Sequence, residues 1–418
     1  MRSDDSESSL SGESANPQTH GHRISVPSKP TLLIVSWLDA LTLVAFFTIV
    51  PFLLRRRRLG RSSLARLKSI MAPSKDALDT VVEIKRVQGE VKIAQILVHP
   101  IKSCKGTSVQ SALCTPEGLE NDRRWSIIDA STKNVLTARE LPTMVLITPR
   151  IEIDENSASG GSLIVTFPIE SGSTDFSTPL RPTEDILKTW RRLSDISLWE
   201  SPAIDGYITE CLPPSTSSPS QILSVFLKRE VYLAYKGPIP REYGPTATFP
   251  DLKGSVAFQD LYPLLFMSAE STSALDEWVV AMESEGRANG RQLIGEEWRN
   301  GGVKVERFRP NIVVTGAGPF AEDGWTEIAI GNSKEEAERA PPISLVSKCQ
   351  RCLLPNISPE TGVRDKAVPY KVLMKHRIGI DPLAKMKPYV GVNGVPTGSG
   401  VVKVGDWVDV RKYADDPL

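Results

Sequence analysis

From residue 91 onward, apolar residues arrive in short alternating runs broken by Gly, Pro and Asp. That pattern does most to limit what the chain can fold into. KIAQILVHPI, RRWSIIDA, MVLITPRIEI and SLIVTFPI each read as strands, and so do VYLAY, RPNIVVTGAGPF, WTEIAIG and VVKVGDWVDV. Helical spacing is confined to a few places. Residues 268–285 (SAESTSALDEWVVAMESE) open on Ser, an N-cap residue, and then place apolar side chains along one helix face. SQILSVFL also reads as a helix, ILKTWRRL fits a short helix or a strand, and the charged, Gly-rich stretch 286–302 reads as a surface insertion. The 32 prolines and 29 glycines favour a loop-rich, strand-rich body over a helical bundle. No internal repeat occurs. The expectation is an α+β chain, mainly β with several helices and compatible with barrel-like domains.

At 418 residues the chain predicts two globular units with accessory segments. Lys+Arg and Asp+Glu both number 50, and a chain of zero net charge gives no support to a nucleic-acid partner. Residues 1–30, rich in Ser, Asp, Glu, Gly and Pro, bury too little apolar surface to offset ordering entropy and read as a disordered tail. Residues 31–54 (TLLIVSWLDALTLVAFFTIVPFLL) are almost continuously apolar, about the 20 residues that a bilayer-crossing helix needs. Asp39 interrupts the run at a cost of roughly 2.5–3.5 kcal/mol, reduced by its position toward one end. Arg55, Arg56, Arg57, Arg58, Arg61, Arg66 and Lys68 follow, so the positive-inside rule puts everything C-terminal in the cytosol. A cleaved signal peptide fits poorly, because the run is long and basic residues follow it. Residues 55–90 then form a basic flank and linker between a single-pass membrane anchor and the body.

The five cysteines are odd in number and scattered, which matches a reducing compartment rather than a disulfide framework. Cys349 and Cys352 lie in SKCQRCLLPNISPETG, after a strand pattern. Such a pair fits half a zinc site, a redox dithiol, or one metal-binding thiolate with a bystander, and two buried apolar cysteines are the plain alternative. Cys104, Cys114, Cys211 and the four histidines supply no second ligand pair at metal spacing, and Pro355 and Pro359 disfavour the helix a thioredoxin-like motif opens. VHPIKSCKG places Lys102, Ser103 and Lys105 on a loop after a strand, while NDRRW and RFRPN set further cations beside strands. Such positions can hold phosphate, although exposed cations more often only face solvent. Dinucleotide-binding, P-loop, nucleophile-elbow and HExxH motifs are all absent.

Taken in order, these fragments resemble the MOSC superfamily, and within it the mitochondrial amidoxime-reducing component family. The resemblance runs through HPIKSCKG, Asp122-Arg123-Arg124-Trp125, Thr137-Ala138-Arg139-Glu140, the strand from Phe308 to Val313, Ala321 to Trp325, the Cys-x-Arg-Cys segment with its Pro-x-Thr-Gly tail, and a terminal KVGD. It covers residues 91–410. It implies an N-terminal MOSC-type β-barrel domain over 91–235 and a C-terminal MOSC β-barrel domain over 236–418, with a molybdenum cofactor, a pterin-based molybdopterin, between them. By the same resemblance Cys352 is the molybdenum ligand and the catalytic residue. Lys102, Ser103, Arg123, Arg309, Asn311, Gln350 and Arg351 carry over as cofactor-binding positions, with Ser268 and Ser271 as further phosphate contacts. The chemistry implied is reduction of N-hydroxylated compounds such as amidoximes, with electrons passing from NADH through cytochrome b5 reductase and cytochrome b5. The location implied is the mitochondrial outer membrane, with the endoplasmic reticulum as the other membrane such an anchor suits. A cofactor-binding or sulfur-carrying MOSC module without reductase turnover is the alternative. The sulfurases that contain such a module carry a large pyridoxal-phosphate domain ahead of it, for which this chain has no room. Departures from the family pattern are the Pro- and Ser-rich ECLPPSTSSPS before SQILSVFL, the 286–302 stretch, and a loose match at YVGVN.

Overall fold

The structure, a computed structural model, describes residues 89–199, 203–211, 217–382 and 384–414. The expected tail, membrane span and basic flank lie outside the described residues. Among the described residues, no helix is long and apolar enough to cross a membrane.

The alternating runs of the C-terminal part close into a seven-stranded barrel. Around it the strands follow one another as Lys92–Val98, Ile312–Thr315, Leu264–Ser268, Tyr389–Pro396, Ile343–Gln350, Trp325–Gly331 and Trp407–Tyr413. Trp407 then pairs with Lys92 and completes the ring. Six of the seven pairings are antiparallel; Leu264–Ser268 and Ile312–Thr315 run parallel. The first strand therefore comes from before the 235/236 boundary expected from sequence and closes a barrel otherwise built from residues 264–413. Ile93, Ile96, Phe266, Ile312, Val314, Ile328 and Leu345 fill its interior. Gly391 has φ 78°, and a Cβ there would lie 2.7 Å from the carbonyl oxygen of Phe266, so this close approach of two strands admits only glycine.

Parallel neighbours need a crossover, and the helix expected over 268–285 provides it as Ala269–Ala288. Ser268 caps it, its Oγ accepting the Ser271 N–H at 3.1 Å. Leu275, Val279 and Met282 recur at helical spacing and pack against Trp298, Phe308, Val372 and Leu373. The 286–302 stretch is not a surface insertion throughout. Gly286 is still inside the helix, Ile294 and Trp298 are buried in the same core, and Trp298 Nε1 donates to Asp365 at 2.7 Å.

The N-terminal part holds two antiparallel sheets over one core. Trp125–Asp129, Val231–Lys236, Ile204–Ile208 and Arg192–Ile196 form one; Thr148–Ile153, Gly161–Thr166 and Phe176–Pro179 form the other. Trp125, Ile127, Leu163, Val165 and Leu233 meet between them. The SQILSVFL segment is the helix Pro219–Leu227, opened by a reciprocal capping box between Ser218 and Gln221, and it buries Ile222, Leu223 and Leu227 in that core. The ILKTWRRL segment divides between the helix Glu184–Thr189 and the strand Arg192–Ile196.

Candidate functional site

A cavity of about 350 Å³ opens where loops of both parts converge. The Lys92–Val98 strand delivers its first wall. After Pro100, Lys102 donates its backbone N–H to Trp125 O, and Ser103 turns the chain with φ 67°. Lys102 is buried, and its Nζ donates to Phe258 O at 2.7 Å and to Asp260 Oδ1 at 2.8 Å. Burial pulls the Lys102 ammonium down to about 8 despite the opposing Asp260 carboxylate.

Arg123 and Arg309 form the second wall. Both have left-handed backbones, at φ 50° and 59°, as does Ser103. Non-glycine residues held there cost of order 1–3 kcal/mol each, and such strain gathers at functional sites. The Arg123 guanidinium donates to Asp122 Oδ2 at 2.6 Å, to Arg309 O at 3.2 Å and to Asn311 Oδ1 at 3.3 Å. Arg309 Nη1 donates to Cys104 O at 2.6 Å, while its buried Nη2 has no protein partner. Burial, then the neighbouring Arg123 charge, lowers Arg309 to about 10. The Asn311 amide is fully engaged: Oδ1 also accepts the Leu265 N–H at 3.1 Å, and Nδ2 donates to Leu97 O. Asn311 lines the cavity but works by tying three strands together and steering Arg123.

The third wall is the end of Ile343–Gln350 and the loop after it. Register shifts against Tyr389–Pro396 between Leu345 and Ser347 and between Lys348 and Gln350 break the strict alternation of facing. Consecutive residues from Ser347 to Cys352 can then all line the cavity. Cys352 is half-buried, and its Sγ accepts the Leu354 N–H at 3.5 Å. Arg351 is buried; one Nη donates to Phe308 O at 2.7 Å and the other to Cys349 Sγ at 3.0 Å. The guanidinium thus rests on Cys349 rather than Cys352. Cys104 and Cys114 are buried thiols, and burial pushes both up to about 12, leaving them inert.

Of the ten positions singled out from sequence, the cavity gathers Lys102, Ser103, Arg123 and Arg309, with Asn311, Gln350, Arg351 and Cys352. Ser268 and Ser271 stand elsewhere. Their hydroxyls lie 2.6 Å apart, fully buried, and Ser271 Oγ donates to the equally buried Glu322 Oε1 at 3.2 Å. They cap a helix against an internal carboxyl instead of facing the cavity. Burial, then the adjacent Asp323 charge, raises Glu322 to about 7 against the weaker pull of its hydrogen bonds and Arg377.

Arg139, Lys348, Asp260 and Asp381 also line the cavity and were not singled out. Arg139, within the Thr-Ala-Arg-Glu segment, lies 4.0 Å from the Trp199 ring centre. Lys348 directly precedes Cys349, so both had a sequence signal; Asp260 and Asp381 had none. Six cations, Lys102, Arg123, Arg139, Arg309, Lys348 and Arg351, thereby face two carboxylates, Asp260 and Asp381. That balance suits a multiply charged anion with a thiol at its side. Among the described residues, no three His, Cys, Asp or Glu side chains converge to hold a metal ion. A metal at Cys352 would take its other ligands from a bound group.

Residues 90–210 match the family described as the MOSC N-terminal beta barrel domain, and residues 253–409 match the MOSC domain family. Mitochondrial amidoxime-reducing component 1 of Mus musculus is 30% identical over 335 residues, covering 77% of this chain and 83% of the relative. Mitochondrial amidoxime reducing component 2 of Homo sapiens is 30% identical over 336 residues, covering 77% and 84%. A molybdenum cofactor sulfurase of Solanum lycopersicum is 30% identical over 285 residues, 65% of this chain but 29% of that protein.

Proposed function

The chain belongs to the family of MOSC-domain proteins that includes the mitochondrial amidoxime-reducing components, and from that premise we propose that it is a molybdenum-cofactor-dependent oxidoreductase acting on N-hydroxylated compounds such as amidoximes. The observation that carries the reading is the cavity itself, where an excess of buried and half-buried cations surrounds the half-buried Cys352.

The residues present fit a phosphate-bearing pterin with a metal. Lys102, Arg123 and Arg309 would hold the phosphate end, the last with a buried Nη2 that has no protein partner. Ser103, Gln350 and Arg351 would flank the pterin, and the Cys352 sulfur would bind the molybdenum, a metal that accepts soft thiolate. Asn311 acts through Arg123. Ser268 and Ser271 drop out of this set, since the Ser271 hydroxyl is committed to Glu322 and the Ser268 hydroxyl to Ser271 and Gly318 O. When bound, the cofactor supplies two-electron redox chemistry at the metal. The net reaction converts N–OH, two electrons and two protons into N–H and water. Around it the chain keeps its charges fixed. Arg351 is pinned between Phe308 O and Cys349 Sγ, and Tyr389 Oη donates to Asp381 at 3.1 Å. Burial and that hydrogen bond push the Tyr389 hydroxyl up to about 12, so it stays protonated.

Electrons reach the site in this reading from NADH through cytochrome b5 reductase and cytochrome b5. The apolar segment 31–54 and the arginines after it anchor the protein, with the body over 91–235 and 236–418 on the cytosolic side. The relatives are named as mitochondrial components, which supports a mitochondrial location, and the outer membrane is the one this reading assigns. Benzamidoxime turnover by the full chain with cytochrome b5, its reductase and NADH tests the activity. Reduction to benzamidine is expected, and a molybdenum-loaded protein without turnover would overturn the reductase assignment.

A further inference from the structure

The buried carboxylate Asp122 is the charge partner most tightly engaged with a cation of the cavity, and it is itself outside the group of residues proposed to touch the cofactor. Its side chain is fully buried. Oδ1 accepts the His99 backbone N–H at 2.8 Å, and Oδ2 accepts from Arg123 Nη1 at 2.6 Å. His99 cannot share the charge, because burial and then the Arg123 and Arg309 charges hold its imidazole neutral, down to about 3. The other hydrogen bonds of the Arg123 guanidinium go to neutral acceptors, Arg309 O and Asn311 Oδ1. The Arg123 backbone is fixed on both sides as well, its N–H donating to His99 O and its carbonyl accepting the Phe258 N–H.

We propose that Asp122 is the positioning residue of the anion site: by holding one edge of the Arg123 guanidinium against Arg309, it determines which donors Arg123 presents to a phosphate in the cavity. The two guanidinium groups repel each other, and Asp122 is the buried anion in contact with Arg123 that offsets this. A charge-assisted bond at 2.6 Å is also directional, so it fixes orientation as well as charge. Asp122 thus favours anion binding although it is itself an anion. A carboxylate acting only through net charge would oppose such binding. This inference rests on reading the cavity as a phosphate site.

The test is a double-mutant cycle on the full chain, produced without the cofactor and titrated calorimetrically with inorganic pyrophosphate. Asp122→Asn is expected to weaken binding about tenfold and Arg123→Met at least as much, with the double variant no weaker than Arg123→Met alone. Additive losses, or tighter binding by Asp122→Asn, would overturn the positioning role while leaving the anion site standing. No binding by the unaltered chain would overturn both. Where Asp122→Asn does not fold, Asp122→Glu takes its place. It keeps the charge but moves the carboxylate by one methylene, so affinity is expected to fall, and unchanged affinity would overturn the proposal.

Discussion

Glu322→Gln is expected to stabilise the protein in mildly alkaline buffer and to leave it unchanged in acid. The Glu322 side chain is fully buried, touches Ser268 N and Ser271 Oγ, and has its carboxyl raised from 4.5 to about 7. Ionising it in place therefore costs on the order of 3–3.5 kcal/mol. The sign follows from proton uptake. Between pH 4.5 and 7 the folded chain keeps a proton that the unfolded chain has lost, so stability falls as pH rises through that window and the penalty is complete above 7. A glutamine carries no such penalty, and its amide can still accept from Ser268 N. Two terms compete here: desolvation of the carboxylate, and its attraction to the N-terminus of Ala269–Ala288, worth roughly 0.3–1 kcal/mol. Desolvation wins on magnitude. Urea unfolding followed by tryptophan fluorescence at pH 5 and pH 8 measures the difference. The variant's midpoint should exceed that of the unaltered protein only slightly at pH 5, where the window has just been entered, and clearly at pH 8. A variant less stable at pH 8 would refute the reasoning, because the ionised carboxylate would then be acting as a net stabilising cap.

Lys102→Met should reduce pyrophosphate affinity by roughly 10- to 100-fold, the range expected for a charged hydrogen bond. In the unaltered chain, affinity should also decline as pH rises through about 8, where Lys102 loses its proton, and titrations at pH 7 and 9 check whether the variant lacks that decline. Cys349→Ser should keep cofactor content within about threefold, since a serine hydroxyl can still accept from Arg351, whereas Cys352→Ser should lose the metal; equal losses would point to a dithiol site. Phe266→Ala removes a fully buried ring from the barrel and should cost about 3–5 kcal/mol in unfolding free energy, measured by denaturant titration.

Much of the fold was readable because alternation is a local signal. WSIID, GSLIVT and WTEIAIG become strands where the pattern put them. Closure of the barrel was not readable, since Lys92–Val98 pairs with segments far along the chain and nothing in KIAQILV names them. Glycine and charge in 286–302 concealed Ile294 and Trp298, two residues that anchor it to the core. At the site, Lys102, Arg123, Arg309 and Cys352 were legible through their motifs, and the cavity gathers them. Ser268 and Ser271 were misread for a physical reason: hydroxyls at a helix start serve a phosphate or an internal carboxyl equally well, and Glu322 is distant in sequence. Asp260 and Asp381 reach the cavity only through tertiary folding, so their sequence neighbourhoods gave no sign of it.

Cys352 is proposed to bind molybdenum inside an anion-holding cavity. Molybdenum quantification on the purified full chain, after expression in a host that makes the cofactor, tests it most directly. About one molybdenum per chain is expected for the unaltered protein and a near-complete loss for Cys352→Ser, with folding retained. A folded, metal-free protein, or a Cys352→Ser variant that keeps its molybdenum, would contradict it.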